Sequence, residues 1–172
     1  LGFTNFISLE RNGVLVGTGP VRVQRCGKGD IPDWIAWDDA NSRYVLCEAK
    51  GSLTSNDFLY FGGPNCAHHG KKQFARVKTF DGTSQILPAQ WVAATRWASV
   101  DRGGDPVTLL WDPPVDETTF GEEEAAIHRK TITRAWLDSI APALGWTGAD
   151  DLIAEERSKT ALAIKADPGP IP

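Results

Sequence analysis

With 172 residues, 41% of them hydrophobic and 23% charged, the chain has the size of one domain, or of one domain with a small appendage, and is too short for two full cores. That composition excludes an intrinsically disordered or low-complexity protein. The net charge of −4 excludes a uniformly basic nucleic-acid coat, but residues 1–80 carry ten basic and seven acidic side chains against eight and fifteen in residues 81–172, so the first half is compatible with a phosphate-facing site.

In chain order, TNFISLERN at 4–12 reads as a short helix capped by Thr4, with Phe6, Ile7 and Leu9 as its apolar side. A glycine-rich turn leads to a strand over 20–26, where Val21 and Val23 alternate with Arg22 and Gln24. IPDWIAWDD and RYVLCEAKG, joined by the turn-forming stretch Asp38 to Ser42, read as a β-hairpin. In its second arm, alternation sets Tyr44, Leu46, Glu48 and Lys50 on one face and Val45, Cys47 and Ala49 on the other. Both faces begin apolar, which places this strand inside a sheet. SLTSNDFLYFGGPNCAHHG reads as a loop, and KKQFARVKTFDG as a short amphipathic helix that buries Phe74 and Val77. Strands over 90–98 and 107–111 complete an α/β core before the turn at DPP. From Glu117 to Leu144 the pattern is helical, with a break at Pro142, and a further helix is expected near 150–165. The expected division is a core over 1–113 and a helical appendage, 114–172, packed on it.

Chemistry concentrates in the hairpin. Pro32-Asp33 opens its first arm, and Glu48-Ala49-Lys50 lies fifteen residues further on, in the second. Glu48 and Lys50 are two apart on a strand and project to one face, and hairpin pairing lets Asp33 approach them. Two carboxylates can hold a hard divalent cation, and an ammonium beside them can orient a water or offset charge developing on a phosphoryl oxygen. Charges in an otherwise apolar strand are costly to bury, which marks a site rather than a solvated face.

These two motif pieces resemble the signature of the PD-(D/E)XK nuclease superfamily, over roughly residues 5–111. The resemblance implies a restriction-endonuclease-like α/β fold, a mixed central sheet flanked by helices, here with the C-terminal helical appendage. It implies Mg²⁺-dependent hydrolysis of nucleic-acid phosphodiesters, with DNA as the expected substrate and Mn²⁺ as a substitute metal. By position, Asp33 and Glu48 would be metal ligands, Ala49 would lend its backbone carbonyl, and Lys50 would be the catalytic lysine. Gln73 matches the helix glutamine of several branches, although the tyrosine that often follows four residues later is Val77 here. Glu10 is the remaining candidate for the upstream acid some members use.

Lys71, Lys72, Arg76 and Lys78, crowded on one expected helix, are candidate contacts to a phosphate backbone. Trp34 and Trp37 flank the site, and core packing is the expectation for both over base stacking. Cys66, His68 and His69 lack the paired spacing of zinc modules and read as loop polar residues, and the acidic run Glu122–Glu124 suits a helix N-terminus. Three cysteines at irregular spacing predict reduced thiols, and no signal peptide or membrane span is evident, so the expected location is cytoplasmic. A chain without methionine that begins at Leu1 reads as an excised, processed or incompletely recorded one, so a homodimer or a larger parent protein is open. The rival readings are a noncatalytic nucleic-acid- or protein-binding module on the same fold, and a zinc-stabilised interaction domain.

Overall fold

The computed structural model describes residues 3–9, 21–52, 66–96, 107–111 and 116–145. The hairpin forms as its sequence predicts: β3 (Trp34–Asp38) pairs antiparallel with β4 (Arg43–Ser52), and Trp37 stands directly opposite Tyr44. Asp38 builds the turn between them. Its Oδ1 accepts the backbone N–H groups of Ala40 and Asn41, and its Oδ2 accepts the side chains of Asn41 and Arg43, so the turn is closed by an aspartate bonding to the backbone ahead of it.

On the far side of β3 lies β1 (Phe3–Ser8), antiparallel to it. This corrects the helix expected over 4–12 at residues 4–8; residues 10–12 lie outside the described residues. Within the segment Phe6 is exposed and Ile7 buried, an alternation of period two, and Asn5 takes a left-handed φ of 55° where the register shifts between Thr4 and Ile7, a bulge that a six-residue strand absorbs. Beyond β4, β7 (Ala89–Arg96) pairs in parallel and β8 (Val107–Trp111) pairs antiparallel with β7, giving the order β1-β3-β4-β7-β8. β4 is therefore central, as its two apolar faces require.

A second sheet, β2-β5-β6, is formed by β2 (Val21–Arg25), β5 (Val77–Asp81) and β6 (Ser84–Ile86). The helix expected over KKQFARVKTFDG is thus corrected as well: α1 spans Cys66–Phe74, starting inside the expected loop and ending where Val77–Asp81 becomes a strand. Lys78 consequently stands on β5, opposite Gln24 of β2. The long helix α2 (Glu122–Ile140) starts five residues later than expected, with Glu122, Glu123 and Glu124 in its first turn, where the helix dipole favours them. A 3₁₀ turn over Ala141–Leu144 carries Pro142 and closes on Gly145 at φ 74°. The helix expected near 150–165 lies outside the described residues.

One face of the main sheet carries the core. Ile35, Trp37, Tyr44, Leu46 and Val92 meet Phe74 of α1, Val21, Val23, Val77 and Ile86 of the small sheet, and Ala125, Ile132 and Ala135 of α2. α1 packs over β4 and β7, while α2 packs over β1 and β3. A separate cluster of Ala36, Val45, Cys47 and Ala89, with Phe3, Trp34 and Trp91 against it, occupies the opposite face. Burial there pushes the Cys47 thiol up to about 12, so it is an inert thiol rather than a nucleophile. The protein is a mixed α/β structure, and among the described residues no helix is long and apolar enough to cross a membrane.

Candidate active site

Asp33 immediately precedes β3, and continuing the register of Trp34 with Cys47 by one residue sets it opposite Glu48. Asp33 is bonded to both Glu48 and its neighbour Ala49. The Asp33 N–H donates to Glu48 Oε2 at 3.0 Å, and Asp33 Oδ2 accepts the Ala49 N–H at 2.8 Å. Asp33 is also fixed by the residue that follows β1, because its carbonyl accepts the Leu9 N–H at 2.9 Å. Lys50, two residues beyond Glu48 on the same face, forms an ion pair with Glu48 Oε1. The hairpin thus brings together the three residues that its sequence singled out.

Burial separates their roles. Glu48 is 1% exposed, whereas the Lys50 side chain is 26% exposed and reaches solvent. Burial, reinforced by the charge of Asp33, holds the Glu48 carboxyl above its ordinary range, although the Lys50 ammonium and the Asp33 N–H pull the other way. A carboxylate so placed gains from any added positive charge.

Helix α1 roofs this position. A Cβ built on Gly70 would lie 3.3 Å from Glu48 Cγ and 2.9 Å from a Val92 methyl, so only glycine lets the helix sit this low on β4 and β7. Gln73, one turn further on, is 4% exposed, and its Oε1 has no hydrogen-bond partner among the described residues. Lys71 points the other way, with its ammonium 5.6 Å from the centre of the Trp111 ring. Pairing aligns Glu48 with Val92 and Val92 with Trp111, so Asp33, Glu48, Val92 and Trp111 form one row across the sheet and Lys71 stands over its far end. Neither Gly70 nor Trp111 was singled out by sequence reasoning. Gly70 ends the segment that reads as a loop, so no helical signal marks it, while Trp111 depends on pairing with a distant strand.

The remaining basic candidates diverge. Lys72 is exposed on α1, Lys78 is exposed on the small sheet, and Arg76 is half-buried and donates from Nη1 to the Asp30 carbonyl at 2.8 Å. They do not form one helical stripe. Trp37 is fully buried, as expected of a core residue, and Trp34 packs on the opposite face of the sheet. Glu10 and the side chains of Cys66 and His68 lie outside the described residues, and His69 is exposed.

Asp33 and Glu48 bring together two carboxylates, hard oxygen donors of the kind a divalent cation takes, with Glu48 Oε1 on Lys50, Glu48 Oε2 on the Asp33 N–H and Asp33 Oδ2 on the Ala49 N–H. Among the described residues no group of three or more histidine, cysteine or acidic side chains could hold a metal ion. No protein-family profile matches the chain, and neither a curated protein nor a solved structure matches it. The functional reading therefore stands on this geometry and on the motif itself.

Proposed function

We propose that the protein is a metal-dependent nuclease that hydrolyses phosphodiester bonds of DNA, on a restriction-endonuclease-like arrangement of its main sheet. The observation that carries this reading is the convergence of Asp33, Glu48 and Lys50 on one face at the end of the central strand. Two hard carboxylates beside a partly exposed ammonium suit phosphodiester hydrolysis and are what a stability-driven core avoids.

Asp33 and Glu48, with the Ala49 carbonyl, would hold Mg²⁺, which when bound supplies an acidified water and charge for the phosphoryl oxygens. Lys50 orients the attacking water or donates to the phosphoryl oxygen that gains charge, and its ammonium is preorganised by Glu48 for that task. Gln73 presents an amide beside the roof of the site. Lys71 and Lys72, exposed on the roofing helix, are placed to meet the phosphates that flank the scissile one, and Lys71 stands over the same cross-sheet row as the carboxylates.

The test is cleavage of plasmid, linear duplex and single-stranded DNA and of RNA with Mg²⁺, Mn²⁺ or EDTA, for the native chain and for Lys50→Ala. Metal-dependent cleavage of DNA that is lost in Lys50→Ala is the expected result. A folded protein that binds nucleic acid but cuts none of these substrates under any metal would replace the nuclease by a noncatalytic binding module.

A further inference from the structure

Asp33 is delivered to Glu48 by the loop between β2 and β3, residues 26–32, and that loop is wrapped around one side chain. The Arg76 guanidinium donates from Nη1 to the Asp30 carbonyl at 2.8 Å, while the Arg76 carbonyl accepts the Cys26 N–H at 2.8 Å. Cys26 Sγ lies 3.6 Å from the Ala75 carbonyl, and Arg25 reaches the Gly29 carbonyl from the other side. The loop backbone closes tightly on the guanidinium. A Cβ at Gly27 would come within 3.1 Å of Arg76 Cγ, and one at Gly29, whose φ is 98°, within 2.7 Å of Nη1.

We propose that Arg76 is a positioning residue for Asp33 rather than a contact to nucleic acid: it clamps the 26–30 loop to the end of α1 and so fixes where the Asp33 carboxylate meets Glu48 and the Ala49 N–H. Two residues, Ile31 and the buried Pro32, separate the clamped Asp30 carbonyl from Asp33, so slack at Asp30 passes along a short, stiff connection. Gly70 of α1 roofs Glu48, and Arg76, in the turn that follows α1 and tied to it by its N–H on the Gln73 carbonyl at 3.0 Å, then locates the second carboxylate. What Asp33 is positioned to do rests on the nuclease reading; that Arg76 positions it does not.

The deciding measurement is amide hydrogen exchange at Asp33 and Ala49 in the metal-free full chain, because these two N–H groups are the ones that tie Asp33 and Glu48 together. Arg76→Gln loses the charged reach to Asp30, and exchange at both amides should rise about tenfold, the equivalent of one charge-assisted hydrogen bond. Arg76→Lys, which keeps a cationic donor, should recover most of the protection. Mn²⁺ affinity and kcat in Arg76→Gln should fall by about 10–100-fold, as when a residue supporting a ligand is removed, with KM for DNA unchanged. Native exchange at both amides in folded Arg76→Gln overturns the proposal, and so does a rise in KM and a reduced salt dependence of DNA binding without any change in exchange. If the native chain binds no Mn²⁺, the nuclease reading fails, while the exchange comparison still decides the role of Arg76. Should Arg76→Gln not fold, Gly27→Ala pushes on the same side chain, and unchanged exchange in that variant overturns the proposal equally.

Discussion

Replacing Gly70 by alanine sets two known effects against each other. In an exposed helix interior the change gains about 1 kcal/mol, because alanine loses less backbone entropy. Here the added Cβ would stand 2.9 and 3.0 Å from the two methyls of Val92 and 3.3 Å from Glu48 Cγ, and Val92 is fully buried on β7. A χ1 turn of the valine removes at most one of its two methyls from the contact, so the helix has to lift. Overpacking of this kind costs about 1–3 kcal/mol, and subtracting the helical gain leaves a net loss near 1 kcal/mol, or ~2–4 °C in Tm for a chain of this size. Urea and thermal unfolding of Gly70→Ala should therefore show destabilisation. Adding Val92→Ala should offset part of that loss, so that the double variant is more stable than the sum of the singles predicts. A Gly70→Ala protein about 1 kcal/mol more stable than the native chain would refute the close seating of α1 on β4 and β7.

Three further outcomes follow from buried polar groups. Thr79 is 2% exposed and its Oγ1 has no hydrogen-bond partner among the described residues, so the nearly isosteric Thr79→Val should raise stability by about 1 kcal/mol in urea titration; a loss would mean that the hydroxyl is bonded. Arg43→Ala takes the guanidinium from Asp38, itself 2% exposed and held in a lowered, ionised state by Asn41 and Arg43 against the opposing effect of burial, and unfolding should register a loss of about 2–3 kcal/mol, short of a full buried-pair rupture because Asn41 remains. Burial keeps His128 below its ordinary 6.5 despite the pull of Asp81 and Glu124, so the unfolded chain takes up the proton first. Its contribution is present above pH 6.5 and fades as the pH falls from there through the lowered value, and Tm of the native chain should drop more steeply over that range than Tm of His128→Gln.

The hairpin was legible because everything it needs is local. Alternation over Tyr44–Lys50 fixes which side chains share a face, and a register slip of one would turn Glu48 to the wrong side and Val45 into the core. Asp38 closes the turn with its own side chain, so pairing Asp33 with Glu48 needed only counting. Segments 4–8 and 77–81, strands where helices were expected, differ for the opposite reason. Six residues such as FTNFIS fit either period, and what decides is the edge offered by β3. Val77–Asp81 looks like the last turn of a basic helix until β2 supplies a partner more than fifty residues upstream, a tertiary override of local propensity. The same distance hid the role of Arg76, which no spacing rule connects to a loop ending at Asp33.

Glu48 tests whether this central strand is built for stability or for chemistry. Its aligned neighbour on β7 is Val92, a residue that would serve the core equally well at position 48, yet the chain buries a carboxylate there beside a second one. The carboxyl is held above its ordinary value by burial first and by Asp33 next. An acid raised in this way contributes most when protonated, so its share of stability is present below the ordinary 4.5 and is lost as pH rises through the raised value. At neutral pH the metal-free protein therefore carries a penalty that Lys50 offsets only in part. Glu48→Met keeps the volume and removes the charge, while Lys50, partly exposed, turns to water. The variant should be at least as stable as the native chain at pH 7, by up to about 2 kcal/mol, should lack the decline above pH 4.5, and should have no metal-dependent cleavage. A Glu48→Met protein less stable by more than about 2 kcal/mol would instead make the Glu48–Lys50 pair a structural element, and the argument that chemistry put the carboxylate there would fail with it.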